Sequence, residues 1–261
     1  MKKNYHTHTV RCNHASGSER EYIEKAIEAG FELLGFSDHT PYIFKDGHYS
    51  SFRMRPDQLP DYVSTLQALR REFADRIDVR IGLETEYYPD NWEDYKGLVK
   101  GSGVEYLILG QHFVRGEAPG EPYSGKDDDD KDRVEAYVSS AIAAARSGMF
   151  SYFAHPDMLY FSGDRDYFRE RMDYMVKEVQ KEGLPFEINL LGLREGRHYP
   201  SEWFLDVLRD NHATVVLGSD AHKPKYVYHE ETVNRALELV KKYDLTLTED
   251  IDIGKLARLG F

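Results

Sequence analysis

The chain has 261 residues, 41% of them hydrophobic and 13% aromatic, enough for a sizeable core in one large or two ordinary domains. Its formal net charge of −12 excludes the broad basic face that nucleic acids and anionic membranes require, while leaving room for a small basic pocket. The lone cysteine, Cys12, excludes a disulfide framework or a Cys-x-x-Cys zinc site within the chain; with no apolar N-terminal stretch and no run near the roughly 18 apolar residues of a membrane helix, a soluble protein of the reducing cytoplasm is expected.

Residues 5–10 alternate and read as a short strand, which points His6 and His8 to one side and Thr7 to the other. Two neutral imidazoles on one face can grip a metal ion. His14 follows in a loop with Asn13 and Gly17 and can fold back to the same point. Ser18 to Glu21 fits a capping box, and Tyr22, Ile23, Ala26 and Ile27 form an apolar stripe that Gly30 ends. Residues 31–36 read as a second strand ending in Ser37-Asp38-His39-Thr40. The long loop 41–56 carries Arg53 and Arg55, and long loops are often functional.

A helix is expected over 60–73, a strand over 79–83 ending in Glu84 and Glu86, a helix over 92–99 and a strand over 106–110 ending in Gln111-His112. Residues 115–132 lack any apolar pattern and read as a solvated acidic loop; the spacing and closing Glu of an EF-hand are missing. A helix over 133–146 leads to a strand over 152–154 that ends in His155-Pro156-Asp157, with Arg165 in the loop beyond. After a helix bearing Phe168, Met172, Met175 and Val179, a strand over 185–188 ends in Asn189, and its loop holds Arg194, Arg197 and His198. A helix over 201–211, a strand over 214–218 ending in Ser219-Asp220-Ala221-His222, a helix over 230–242 and a polar tail with a helical turn near 253–259 complete the chain. Strand and helix thus alternate some seven times, the strands as continuous apolar runs, which is the pattern of a parallel α/β sheet buried on both faces. No linker divides it, so a single domain over 1–261 is expected.

The residues at the strand ends are His6, His8, Asp38, His39, Glu84, His112, His155, Asn189, Asp220 and His222, all of types that ligate metals or bind ligands. In a parallel α/β fold these ends share one rim, where sites form. Imidazole and carboxylate without thiolate suit zinc, manganese or iron at a hydrolytic centre. The candidates are too many for one ion with an open position, so two or three ions are expected, bridged by Glu84 and Asp220, with Glu86 a rival for the role of Glu84. Such ions acidify a shared water and bind phosphoryl oxygens. Asp38 can ligate, donate a proton or orient His39. Arg194 and Arg197, with Arg165, Arg53 and Arg55 behind them, are candidates for gripping phosphate, since guanidinium matches its geometry. His48, His198, His212 and His229 read as surface or helix-region residues, and Cys12 as a small packing residue. There is no phosphate loop, dinucleotide fingerprint or nucleophile elbow.

The motifs His6-Thr7-His8-Thr9, His14, Ser37-Asp38-His39-Thr40, Gly82-Leu83-Glu84, Gly110-Gln111-His112, Ala154-His155-Pro156-Asp157 and Ser219-Asp220-Ala221-His222 resemble, in order, those of the PHP (polymerase and histidinol phosphatase) family. The resemblance implies a distorted (β/α)7 TIM-like barrel with a trinuclear metal site at the C-terminal ends of its strands. It would give one ion to His6, His8, Glu84 and Asp220, a second to Glu84, His112 and His155, and a third to His14, His39 and His222. Thr7-His8-Thr9-x-x-Cys12-x-His14 and Phe52-Arg53-Met54-Arg55-Pro56 look most like the stand-alone histidinol-phosphate phosphatases of that family. The function so implied is hydrolysis of L-histidinol phosphate by attack of a metal-bridging hydroxide, with Asp38, His39 and Asp220 catalytic and Arg194, Arg197, Arg165 and Asn189 binding substrate. The alternative within the family is a phosphoesterase acting on another small ester or on nucleic-acid ends. The expected partner is a small phosphorylated molecule, with no nucleic acid or membrane, and the protein a monomer or small homo-oligomer.

Overall fold

A computed structural model describes residues 1–45, 47–118 and 120–261; Asp46, and Pro119 of the acidic loop, lie outside the described residues. Eight strands, β1 (Lys3–Asn4), β2 (Leu33–His39), β3 (Asp78–Thr85), β4 (Tyr106–Leu109), β5 (Phe150–Phe153), β6 (Phe186–Asn189), β7 (Thr214–Gly218) and β8 (Thr246–Leu247), form one sheet in sequential order with every pairing parallel. The helices that return the chain between them are α1 (Glu19–Glu28), α2 (Leu59–Glu72), α3 (Trp92–Val99), α4 (Lys131–Arg146), α5 (Arg165–Lys181), α6 (Leu190–Glu195), α7 (Glu202–Asp210) and α8 (Glu230–Lys242), with α9 (Lys255–Arg258) near the end. Among the described residues no helix is long and apolar enough to cross a membrane.

The strands are mostly apolar, with many of their polar residues gathered toward the C-terminal ends, because both of their faces are covered. One set of side chains, including Leu34, Phe36, Ile81, Leu83, Leu107, Leu109, Ile188 and Leu217, joins the large cluster with the helices. The alternate set packs inside the curl of the sheet as Tyr5, Leu33, Tyr106, Ile108, Tyr152, Ala154 and Val216. Gly35 and Gly82 have no Cβ because the Tyr106 ring occupies that space, and its hydroxyl shares its one proton between the carbonyls of Tyr5 (2.8 Å) and Phe36 (3.0 Å). The sheet curls far enough to bring the segment after β1 beside the segment after β7: Thr7 bridges Ala221, the His8 amide donates to the Ala221 carbonyl (3.0 Å), and Ser219 N–H donates to Asn4 Oδ1 (2.9 Å).

Four expectations change. The first strand is Lys3–Asn4 rather than 5–10, because residues 5–8 are shared between Ser37 on one side and Ala221 on the other and form no regular ladder. An eighth strand forms in the tail, where Thr246 and Leu247 extend the sheet along β7. Arg165 begins α5 instead of lying in a loop, with Asp164 as its N-cap. Arg194 sits on α6, which Asn189 caps by accepting from the Gly192 amide (2.8 Å).

Candidate metal centre

Glu84 is the penultimate residue of β3, on the inner face two residues beyond Gly82, and it is 1% exposed. Its two oxygens serve different groups. Oε1 lies 2.6 Å from His155 Nε2 and 3.4 Å from His112 Nε2. Oε2 lies 3.4 Å from His6 Nε2, 3.5 Å from His8 Nε2 and 3.2 Å from His39 Nδ1. On the far side, Asp220 Oδ1 is 3.2 Å from His8 Nε2, 3.7 Å from His6 Nε2 and 3.3 Å from His222 Nδ1. The imidazoles form a continuous array, with ring centres 4.0 Å apart for His8 and His222, 4.5 Å for His14 and His222, and 4.9 Å for His112 and His155. All nine predicted metal residues, His6, His8, His14, His39, Glu84, His112, His155, Asp220 and His222, therefore meet at one place.

The polypeptide holds the rings by their other nitrogens. His6 Nδ1 donates to Glu187 Oε1 (2.8 Å), His112 Nδ1 to Glu86 Oε1 (2.8 Å), and His14 Nδ1 to the Cys12 carbonyl (2.8 Å), which turns each Nε2 inward. Asn189 Nδ2 donates to both Glu187 Oε2 (2.9 Å) and Asp220 Oδ2 (3.1 Å). Two glycines make room: a Cβ at Gly110 would collide with the Glu84 carboxyl, and one at Gly218 with that of Glu187. His155 and Asp220 adopt positive φ, 32° and 46°, a backbone strain of the kind that clusters at functional sites.

These donors fit metal ions. Buried atoms left without a hydrogen-bond partner include His6 Nε2, both ring nitrogens of His8, His39 Nδ1, Glu84 Oε2 and His222 Nε2. A protein tolerates such orphans rarely, and an ion would satisfy them together. Two atoms that ligate one tetrahedral zinc lie roughly 3.3 Å apart, close to the nitrogen–oxygen separations above. Donor atoms fall within 4.8 Å of one another in the sets His6/His8/Glu84, His6/His155/Asp220, His39/Glu84/His112 and His14/His39/His222. A further set, His8/Cys12/His222, is weakened because burial pushes the Cys12 thiol up and its Sγ already donates to the Thr9 carbonyl.

Electrostatics divides the centre in two. Burial opposes the charged form of His6, but Glu187, Asp220 and Glu84 outweigh it and raise the imidazole well above its ordinary range. His8 is raised to about 9 against the same burial by Asp220, Asp38 and Glu84. His39 and His222 are driven well below the ordinary value by burial and by neighbouring imidazoles, and His14 is lowered chiefly by burial. Burial would raise Glu84 and Asp220, yet the surrounding histidines hold both carboxyls well below the usual carboxylate range. The His14/His39/His222 end thus offers free lone pairs, while the His6/His8 corner holds protons that a cation would replace.

The array opens into a cavity of about 610 Å³ lined by Phe52, Phe113, Tyr123, Glu195, Arg197 and Lys223, among others, with His14, His39, His112, Asp220 and His222 at its floor. Of the predicted substrate residues only Arg197 lines it. Arg194 turns away and lies over the Tyr226 ring, 3.8 Å from its centre. Arg165 borders a separate cavity of about 390 Å³ with Tyr160, Phe161 and Trp203. Asn189 is fully buried and orients carboxylates. Arg53 is paired with Glu86 and Glu117 inside the protein, and Arg55 packs over Tyr49, so neither reaches the cavity. Asp38 accepts from Thr9 Oγ1 and from the His39 amide, and its Oδ1 faces His8 Nδ1 at 3.4 Å. It is sealed on the helix side of β2 with Leu34 and Phe36, which fits an orienting role toward His8 and not the donation of a proton to a ligand. Among the other candidates, His39 and Asp220 line the cavity.

The sequence reading passed over Glu187, although a carboxylate between Phe186 and Ile188, on the same strand face as Asn189, was a visible signal. Glu86 partners His112 instead of rivalling Glu84. The acidic loop is also more than a solvated segment: Glu117 is buried against Arg53, and Tyr123 pairs with Phe113 and returns its ring to the cavity.

Residues 4–190 match the family model of the PHP domain. A probable histidinol-phosphatase of Deinococcus radiodurans is 31% identical over 224 residues, 84% of this chain and 85% of the relative. The histidinol-phosphatase of Bacillus subtilis is 26% identical over 256 residues, 85% of this chain and 94% of that protein. Among solved structures, a histidinol phosphate phosphatase of Lactococcus lactis, complexed with zinc, L-histidinol and phosphate, superposes with a TM-score of 0.74 across 96% of this chain and 98% of that one, at 19% identity. At that identity the likeness shows the fold.

Proposed function

The chain belongs to the PHP domain family, and on that premise we propose that it is a metal-dependent phosphomonoesterase that hydrolyses L-histidinol phosphate to L-histidinol and phosphate in histidine biosynthesis. The histidinol-phosphatases of Deinococcus radiodurans and Bacillus subtilis, similar across most of the chain, support the substrate. The observation that carries the reading is the split allegiance of Glu84, one oxygen toward His112 and His155 and the other toward His6, His8 and His39, which would let this one carboxylate hold two ions. A third ion would take His14, His39 and His222. Zinc, manganese and iron suit these donors.

When bound, the ions supply an acidified water as nucleophile and neutralise charge on the phosphoryl oxygens. The remaining tasks fall to side chains of this chain. Glu187 and Glu86 fix the tautomers of His6 and His112, Asn189 aims Asp220, and Asp38 backs His8. Arg197 and Lys223 face the cavity and bind the non-bridging phosphate oxygens. Phe52, Phe113 and Tyr123 offer ring faces for the imidazole of the substrate. The family's (β/α)7 barrel would correspond to β1–β7, with β8 a short addition; the Thr7–Ala221 bridge supports that closure. We assign the whole of 1–261 to one phosphatase domain, acting in the cytoplasm on a small phosphorylated partner and not on nucleic acid, as a monomer or small homo-oligomer.

Metal analysis together with a panel of phosphate esters tests this. The metal-loaded protein should prefer L-histidinol phosphate, and Asp220→Asn and His155→Ala should each lose metal and activity. Equal turnover of nucleotides and sugar phosphates would remove the substrate assignment, and full activity in both variants would remove the metal centre.

A further inference from the structure

The charges around the cavity come in equal numbers. Imidazoles apart, its described lining carries two carboxylates, Glu195 and Asp220, and two cations, Arg197 and Lys223. Asp220 is committed to His6, His8 and Asn189. Glu195, at the end of α6, is not. Its Oε2 accepts from Arg197 Nε (3.0 Å) and Nη2 (2.8 Å), and its Oε1 lies 3.6 Å from Nη2 of Arg194, the arginine stacked on Tyr226. Arg197 also donates through Nη1 to the Tyr199 hydroxyl (2.7 Å).

Resting on the phosphatase reading above, we propose that Glu195 receives the ammonium group of an aminoalkyl phosphate, and that the Glu195–Arg197 pair opens across the substrate. The guanidinium takes phosphate while the carboxylate takes the amine, so each charge exchanges one opposite partner for another and none is left unpaired. Arg194 and Tyr199 keep the two side chains in place during the exchange. This arrangement also discriminates. A phosphate ester without an amine would draw Arg197 away and leave Glu195 beside the phosphate with only Arg194 to balance it, a like-charge penalty that the aminated substrate escapes.

The test compares L-histidinol phosphate with its des-amino analogue, imidazolylpropyl phosphate, on metal-loaded protein and its Glu195→Gln variant. The selectivity for the amine, as the ratio of the two kcat/KM values, should fall about three- to tenfold in the variant, the range for a partly exposed ion pair. The loss should lie in KM for the aminated ester, and Glu195→Asp should restore part of it. An unchanged ratio in an active variant overturns the assignment of Glu195 alone. Failure of the unsubstituted protein to hydrolyse either ester overturns the phosphatase reading and this inference with it.

Discussion

Glu187 touches none of the cavity, yet it grips the back of His6, accepts from the His155 amide (3.0 Å) and is tied to Asn189. Glu187→Gln keeps the shape but weakens the hold on the His6 tautomer. Metal affinity should drop about 10- to 100-fold, as for other outer partners of metal-binding histidines, with little change in folding; titration with a chromophoric chelator measures it, and unaltered affinity would contradict the role. The proton that His8 holds up to about 9 gives a second expectation. A cation entering the His6/His8 corner must displace it, so affinity should rise with pH toward about 9 and uptake should release protons. Calorimetry in buffers of different ionisation enthalpy checks this; a buffer-independent heat would refute it. In the metal-free protein the sign reverses. A raised imidazole stabilises the fold fully below its ordinary value of 6.5, and that contribution fades as pH climbs through about 9.

At the scale of elements, the Glu84 carboxyl depends on a glycine of a neighbouring segment. Gly110 follows β4 and borders Glu84 on β3, so Gly110→Ala should displace the Glu84 carboxyl and abolish metal uptake. Metal content measured beside far-ultraviolet circular dichroism separates this from misfolding; full loading would show that Glu84 tolerates the methyl group. The loop 41–56 is anchored from below by Arg53, 1% exposed between Glu86 and Glu117. Arg53→Met leaves two carboxylates buried without their cation, which costs about 3–5 kcal/mol. Denaturant unfolding reads that loss directly. Because Phe52 is the next residue and lies 5.3 Å from the His39 ring, the same change should loosen the wall of the cavity.

For the whole molecule, the metal donors come from six separate strand ends, so ions would staple the sheet to itself across its curl. Chelation should therefore lower Tm, and each ion present at about a thousand times its Kd should contribute about 4 kcal/mol. Differential scanning calorimetry with and without added zinc checks this, and an unchanged Tm would mean that the donors do not bind ions in the folded protein.

The alternation of strand and helix, and the His, Asp and Glu residues at the strand ends, were legible in the sequence. Periodicity and turn chemistry are local, and a parallel sheet sends all its C-terminal ends to one rim. The fold then decided what local pattern does not encode. It sealed Asp38 behind His8, sent Arg165 and Arg194 away from the cavity, brought in Glu195 and Lys223, and set Glu187 against a histidine 181 positions earlier in the chain. Those outcomes depend on which side chains meet across the curl, and that follows from strand register and helix packing between distant segments, for which no short stretch of sequence carries a signal.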